Sequence, residues 1–356
     1  MQQNSTENYS LLAKEDSLWI KGFLIFLIVL GHNMTFTIPL GQWGVMSFLY
    51  TFHVHVFFLL PFLYGSHRLS TQRMVIATIR LYWPYLVFAT VLAVVYGCQN
   101  LYESWSVERW VRLLLFGYAE DVRPMCGNAM LWFLPALLLT IILKDMYYQS
   151  AYIWRVILLT ISIVINVLYI VDSQLHVYSL LLNYVPLGGV HAFRYLLLGV
   201  IFREALQWRR VMPRFLNIIL CTTIFLIGTY IYGSQVAVHM NREVMCFRLL
   251  QIVMPLCVGG ILCSAVINHQ NIISKVFCCL GQESLVIYLV SPFVGYFCYY
   301  IISYLNATCW PMGILAQLII VFLSYLISRK LIAGRLRSIL LPRSIEELRF
   351  CLNLKS

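Results

Sequence analysis

Two ionisable residues flank an apolar run near the start of the chain, KGFLIFLIVLGHN at residues 21–33. Lys21 and His32 are eleven residues apart, about three helical turns, so a helix places both side chains on nearly the same face, roughly 16 Å apart along its axis. Ionisable groups inside a bilayer are costly and usually functional. The shared face therefore favours a common polar cleft over the alternatives, a snorkelling anchor at Lys21 and a structural core histidine at His32.

Two later regions carry residues of the same kind. In FHVHVFFLLP, His53 and His55 are two residues apart, which turns them about 200° from each other on a helix. We expect one of them to point into a helix bundle and the other elsewhere. Arg80 lies in TIRLYWPYLVF, and Arg194 lies in GGVHAFRYLLLGVIF, one turn after His191. A buried guanidinium needs a polar cavity or a partner, so a substrate path competes at Arg194 with a structural ion pair.

These residues belong to a chain with the composition of a membrane protein. Of its 356 residues, 61% are hydrophobic and 11% are charged, and the mean hydropathy is +0.81. A soluble domain carries about a quarter charged residues. No cleavage site of small residues follows the first apolar run, which predicts a retained helix rather than a signal peptide. The sequence thus predicts a protein that crosses the lipid bilayer several times.

Apolar runs of about 17 to 25 residues predict ten transmembrane helices. They lie near 17–38, 45–65, 74–97, 129–145, 153–171, 187–203, 214–233, 248–267, 281–303 and 312–333. The predicted fold class is an all-α polytopic membrane bundle of about ten transmembrane helices. A single transmembrane domain would cover 1–340, and a short basic cytoplasmic tail would cover 341–356. With no repeat and no second hydrophilic domain in view, the chemistry is expected in the bundle or at its mouths.

The charges of the loops predict the orientation of the chain. Most basic loop residues fall on one side, and basic loops of membrane proteins face the cytoplasm. Both termini are therefore expected to be cytoplasmic. The same asymmetry accounts for the net charge of +11 without a nucleic-acid partner. The eleven cysteines show no spacing typical of a metal site, and we predict no metal.

Taken in order, the segments resemble the membrane acyltransferase-3 family, bacterial integral-membrane enzymes that O-acylate cell-surface glycans. DSLWIKGFLIFLIVLGHN is similar to the family's first helix, whose basic residue, ten intervening positions and histidine are matched by Lys21 and His32. FHVHVFFLLPFLYG resembles the second-helix segment and places His53 on the family's histidine. RLYWPYLVF, LWFLPALLL and LGQESLVIYLVS are similar to three later segments. The chain departs from the family pattern where His55 replaces a proline and Ser291 replaces a late histidine.

The resemblance implies the two substrates of a transfer reaction. The donor would be a cytoplasmic acyl-CoA, most often acetyl-CoA, whose polyphosphate head Lys21 and Arg80 would bind. The acceptor would be a hydroxyl of a surface or lipid-linked glycan, of the exopolysaccharide, capsule or O-antigen type. The protein would then lie in the bacterial inner membrane.

The same resemblance implies roles for the remaining residues. His32 would deprotonate the acceptor hydroxyl or relay the acyl group, which are tasks for a histidine that is neutral near pH 7. Arg194, His53 and Tyr288 are candidates for stabilising the oxyanion. The catalytic residues predicted from the sequence are therefore His32, His53 and Arg194.

Two other functions are compatible with ionisable residues in a membrane bundle. A proton-coupled transporter or flippase also places histidine and arginine in a polar path, but usually has paired broken helices or repeated halves. A lipid-linked glycan polymerase would have long outer loops with paired arginines, for which the 98–128 connection is a faint signal. Binding of acyl-CoA from the cytoplasmic side separates the acyltransferase from both alternatives.

Overall fold

The computed structural model describes residues 11–39, 42–64, 70–99, 106–126, 130–208, 213–239, 245–265, 267–333, 336–342, 344 and 347. Within these ranges every regular element is a helix and there is no strand, which confirms the predicted all-α class. The helices are α1 (Lys14–Gly31), α2 (Met34–Thr37), α3 (Gln42–Leu49), α4 (His53–Leu59), α5 (Thr71–Gln99), α6 (Val107–Val111), α7 (Ala119–Cys126), α8 (Phe133–Gln149), α9 (Tyr152–Leu175), α10 (Val177–Tyr184), α11 (Gly189–Trp208), α12 (Arg214–His239), α13 (Met245–Ser264), α14 (Ile272–Gln282), α15 (Ser284–Tyr304), α16 (Trp310–Ala333) and α17 (Leu336–Leu340).

Seven helical segments of the described chain are long and apolar enough to cross a bilayer. They are Gly44–Leu63, Thr71–Val95, Tyr152–Asp172, Arg214–Ser234, Met245–Ser264, Ser284–Tyr304 and Trp310–Leu331. An eighth candidate is a helix pair bent by 117°, Val177–Tyr184 with Pro186–Trp208. In the spans of α9 and α12 only 11% of the most apolar stretch is buried. Helices that expose apolar side chains all round are typical of membrane spans, so the chain has the construction of a multi-pass membrane protein.

Two of the ten predicted spans, near 17–38 and 129–145, are not among these candidates. They correspond to α1, which has 18 residues, and α8, which has 17. α1 differs from the candidates by the charges in its first half, at Lys14, Glu15, Asp16 and Lys21. The predicted tail 341–356 lies almost wholly outside the described residues.

The chain divides into two compact units, of which the first comprises 1–67 and 198–326. In this unit α1 packs along α14 through a reciprocal pair of glycines. A Cβ atom at Gly22 would lie 1.8 Å from the carbonyl oxygen of Phe277, and one at Gly281 would lie 1.8 Å from that of Leu18. Small residues allow membrane helices to approach this closely. The contact fixes α1, the helix that carries Lys21 and leads into His32.

The second unit comprises 68–197 and 327–356. A π-helix at residues 112–116 joins α6 to the chain before α7, and its backbone is held by two tyrosines of α5. The Tyr82 hydroxyl donates to the carbonyl oxygens of Leu114 and Leu115, at 2.8 and 2.9 Å, and Tyr85 donates to that of Leu113 at 2.6 Å. Irregular turns leave helix carbonyls without their usual partners, and these phenols supply them.

The connection from α10 to α11 turns sharply because two residues have positive φ. Leu187 has φ 56° and Gly188 has φ 60°, and a Cβ atom at Gly188 would lie 2.7 Å from that of Ala136. Glycine alone meets both demands at position 188. Helix α11 begins at Gly189, directly after this turn, and carries His191 and Arg194.

A charged contact stabilises the segment between the spans of α5 and α9. Arg112 donates from Nε to Oδ2 of Asp121 at 2.9 Å, and its guanidinium lies 4.8 Å from the ring centroid of Tyr118. The hydrogen bond to Asp121 raises the pKa of Arg112. Arg112 and Asp121 therefore form an ion pair within this segment.

Candidate functional site

His32 caps the C-terminal end of α1, and its ring is held in one orientation. Its backbone N–H bonds to the carbonyl oxygens of Ile28 and Val29, while Nδ1 of the imidazole lies 2.8 Å from the same Ile28 oxygen. A carbonyl oxygen only accepts, so Nδ1 carries the hydrogen and donates it. The other nitrogen, Nε2, is then the acceptor of a neutral imidazole.

The hydroxyl of Tyr50 donates to this acceptor. The distance from Tyr50 Oη to His32 Nε2 is 2.6 Å, and the two rings meet edge to face at 5.6 Å between centroids. The Tyr50 backbone carbonyl accepts from Nε2 of Gln251 at 3.2 Å. His32 and Tyr50 are both partly exposed. The described site thus presents an imidazole with one ring nitrogen on a backbone carbonyl oxygen and the other on a hydroxyl group.

His53 also contacts the Tyr50 ring and is fully buried, with 0% exposure. Its ring meets that of Tyr50 at 4.8 Å and 89°, and its Nδ1 donates to the carbonyl oxygen of Leu49. Its Nε2 has no hydrogen-bond partner among the described residues and faces Gly31, where a Cβ atom would lie 3.6 Å away. The fold therefore brings His32 and His53 together around one tyrosine.

His55 does not behave as the spacing suggested. His55 is buried as well, with 7% exposure. Contrary to our expectation, burial therefore does not distinguish His53 from His55. Packing of α4 inside the first unit covers both sides of this short helix. The proximity of His53 to Tyr50 distinguishes the two.

Asn33, the residue after His32, ties this end of α1 to α16. Its side-chain amide donates to the Gly313 carbonyl oxygen at 2.9 Å and to Oε1 of Gln317 at 3.3 Å. Gln317 in turn donates to the Phe26 carbonyl oxygen at 3.1 Å. These bonds connect Phe26, before His32, and Asn33, after it, to one neighbouring helix and so restrict the position of His32.

Lys21 lies toward the other end of α1 and faces Tyr64. Its Nζ is 5.5 Å from the centroid of the Tyr64 ring, whose hydroxyl contacts Oγ of Ser17. Arg203 donates to the carbonyl oxygens of Phe62 and Tyr64, at 2.6 and 3.0 Å. Two basic side chains thus contact Tyr64, Lys21 at its ring and Arg203 at its backbone carbonyl oxygen. Nothing in the spacing of the sequence links Arg203 to Lys21.

A polar cavity of about 450 Å³ opens beside the first turn of α1. Its wall includes Lys14, Asp16, Arg214 and His269, and Nε2 of His269 lies 2.8 Å from Oδ1 of Asp16. The cavity belongs to the same unit as Lys21. Two basic side chains, Lys14 and Arg214, share this wall with two acidic ones, Glu15 and Asp16.

Arg194 and His191 belong to the second unit. The Arg194 guanidinium is 1% exposed and lies 3.6 Å from the ring centroid of Tyr169, while the Tyr178 hydroxyl lies 3.1 Å from Nδ1 of His191. The ring of Trp132 covers His191 at 4.6 Å. An arginine enclosed by aromatic rings is stabilised by cation–π contacts. The Arg194 guanidinium therefore lies against the rings of Tyr169 and Tyr195.

Arg80, the second residue predicted to bind the donor, is exposed on α5 of the second unit. The roles predicted for Arg80 and Arg194 stay predictions. Among the described residues, no group of three or more His, Cys, Asp or Glu side chains could hold a metal ion.

Comparisons with known proteins add no relative to this description. No protein-family model matches the chain, and no curated protein or solved structure matches it either. The likeness to the acyltransferase-3 family consequently depends on the motifs of the sequence. The chemistry of the site depends on the geometry of His32, Tyr50 and His53.

Proposed function

We propose that the chain is an integral-membrane O-acyltransferase of the bacterial inner membrane. It would move an acyl group, most simply acetyl, from cytoplasmic acyl-CoA to a hydroxyl of a cell-surface or lipid-linked glycan. The observation that carries the proposal is the bond from the Tyr50 hydroxyl to Nε2 of His32. This contact supports the proposal because a base that takes the proton of an alcohol must first accept a hydrogen bond from its hydroxyl.

The two ends of α1 suit the two halves of the reaction. Lys21 and the basic residues Lys14 and Arg214 of the nearby cavity supply positive charge for the phosphates of the donor. His32 lies eleven residues beyond Lys21, roughly 16 Å along the axis, which is comparable with the reach of an extended pantetheine arm. A donor bound by its head near Lys21 would bring its thioester toward His32.

The proposal is tested by donor turnover with purified protein in nanodiscs. We expect radiolabelled acetyl-CoA to bind and, with a crude lipid-linked glycan extract, to transfer its label to the extract. His32→Ala should abolish transfer, because base catalysis contributes about 100-fold or more, while the protein still inserts and accumulates. The matched control is His176→Asn, at an exposed histidine with φ 52°, a conformation that asparagine tolerates.

Each result of this assay bears on the proposal. Near-normal transfer by His32→Ala would remove His32 from the mechanism. Failure of folded wild-type protein to bind acetyl-CoA or longer acyl-CoAs would contradict the acyltransferase altogether.

One observation favours a proton-coupled transporter as the second candidate. The break of 117° before α11 resembles the discontinuous helices that transporters use, and His191 and Arg194 follow it closely. Transporters of this kind pair two such breaks, whereas the described residues contain one. The acyl-CoA assay separates the two functions, since a transporter would not consume the donor.

A further inference from the structure

We propose that Tyr50 is a further catalytic residue, which passes the proton of the acceptor hydroxyl to His32. This inference rests on the proposed function and assigns a residue that the sequence motifs do not include. It starts from the 2.6 Å contact between Tyr50 Oη and His32 Nε2. That contact occupies the one lone pair through which His32 can act as a base.

Because Nδ1 of His32 is committed to the Ile28 carbonyl oxygen, an acceptor substrate has two ways to use this histidine. It can displace the Tyr50 hydroxyl from Nε2, or it can deliver its proton through that hydroxyl. A phenol suits the second route, because it donates one hydrogen while its oxygen accepts another.

The packing of Tyr50 opposes displacement. Its ring meets two histidines edge to face, His32 at 5.6 Å and His53 at 4.8 Å between centroids. Its backbone carbonyl is fixed by Gln251, and the next residue but one, Phe52, is buried with 6% exposure. Moving the phenol away from Nε2 would break the contacts with both imidazoles. The partial exposure of Tyr50 and His32 leaves the substrate an approach that the fully buried His53 lacks.

The relay conserves atoms and charge. As the acceptor oxygen attacks the thioester carbonyl, its proton moves to Tyr50 Oη and the Tyr50 proton moves to His32 Nε2. The new carbon–oxygen bond forms, and the carbon–sulfur bond of the donor then breaks. His32 returns its proton through Tyr50 to the departing thiolate, so that free CoA leaves as the thiol and both side chains recover their starting state. His53 acts in this scheme as a positioning residue against the Tyr50 ring.

The experiment measures single-turnover acyl transfer by protein in nanodiscs loaded with radiolabelled acetyl-CoA. Rates are taken in mixtures of H₂O and D₂O, and Tyr50→Phe is compared with wild type. Two protons move together in the relay, so the wild-type rate should curve with the deuterium fraction. Tyr50→Phe should lose about 100-fold or more in rate with unchanged donor affinity, and its residual rate should depend linearly on the deuterium fraction.

Tyr232→Phe is the matched control. Tyr232 is a buried tyrosine of the same unit, and its hydroxyl donates to the Gly44 carbonyl oxygen at 2.8 Å. Its loss should leave the transfer rate and the curvature unchanged.

The outcomes separate the relay from the proposed function. A wild-type enzyme that transfers the acyl group with a linear deuterium dependence overturns the relay even if Tyr50→Phe is inactive or fails to fold. An active Tyr50→Phe with a wild-type rate overturns it as well, and the acyltransferase stands in both cases. Absence of any donor turnover by folded wild type overturns the proposed function and the relay together.

Discussion

At the scale of single residues, Lys21 in α1 and His32 at its C-terminal end have different surroundings. His32 has both ring nitrogens engaged, at 2.8 Å to a carbonyl oxygen and at 2.6 Å to a hydroxyl. Lys21 faces an aromatic ring and has no ion pair with a described residue. In the proposed reaction Lys21 would contact the anionic head of the donor, whereas His32 would take part in proton transfer.

Lys21→Glu should raise the KM for the acyl-CoA donor more than it lowers kcat. Charge-assisted hydrogen bonds contribute about 1.5–3 kcal/mol, so an increase of about tenfold or more in KM is expected. The measurement is a donor titration at saturating acceptor. Lys21→Arg retains the charge and should keep a KM near that of wild type.

Lys330→Glu provides the matched charge reversal at an exposed position of α16. It should leave the donor KM unchanged if local contact at Lys21, rather than overall charge, binds the donor. A change in kcat alone for Lys21→Glu would place this residue at the reaction centre instead of the head group.

The sequence located His32 and Lys21 because helical periodicity predicts a shared face from spacing alone. It did not link Tyr50 to His32, because tyrosines are frequent at membrane interfaces and the residue lies 18 positions from His32 in a separate helical segment. Arg203 was missed for a similar reason, since its contact with Tyr64 joins residues 139 positions apart. Periodicity describes one helix, and these contacts are made between helices.

At the scale of the helices, the glycine contact between α1 and α14 carries the next prediction. Gly22→Ala and Gly281→Ala each insert a methyl group where a backbone carbonyl oxygen lies 1.8 Å away. Overpacking of this kind costs about 1–3 kcal/mol, and backbone atoms cannot swing aside as a flexible side chain can. Both variants should show a lower Tm in detergent, measured by tryptophan fluorescence, and a lower activity because α1 carries Lys21 and positions His32.

Gly233→Ala in α12 is the control, because no heavy atom lies within 4 Å of its added Cβ atom. Replacing glycine by alanine inside a helix is favourable by about 0.5–1 kcal/mol, so this variant should melt at or above the wild-type temperature. Equal melting of all three variants and wild type would show that α1 and α14 do not approach this closely.

Helix content was predictable from apolar length, but the interruptions were not. The π-helix at residues 112–116 depends on three carbonyl oxygens bonded by Tyr82 and Tyr85, about 30 residues earlier in the chain. The bend before α11 depends on the contact of Gly188 with Ala136 of α8. Both features arise from tertiary contacts that a single sequence does not display.

At the scale of the whole molecule, the number of spans and the position of the termini constrain each other. An even number of crossings returns the chain to the side on which it began, and an odd number does not. The basic loops predict cytoplasmic termini, which requires an even number. The seven candidate spans alone are therefore incompatible with the predicted orientation, whereas eight are compatible if the bent pair counts as one.

Two helices, α1 and α8, are not among these candidates, and they decide whether the chain has eight or ten spans. α1 has 18 residues and α8 has 17, so at 1.5 Å per residue they reach about 27 and 26 Å, slightly less than a hydrocarbon core of about 30 Å. If both α1 and α8 cross the bilayer, the chain has ten spans with the bent pair included, the number that the sequence predicts. Crossing by only one would give nine and place the termini on opposite sides.

Reporter fusions at the two ends therefore test the architecture of the entire chain. We expect alkaline phosphatase, which is active only outside the cytoplasm, to be inactive at both termini, and a cytoplasmically active fluorescent reporter to be bright at both. A third fusion, after residue 39, follows α1 and separates eight spans from ten: phosphatase activity there means that α1 crosses the bilayer and carries His32 away from the donor side. Opposite signals at the two termini would contradict the even count and with it the cytoplasmic position of Lys21 from which donor binding is argued.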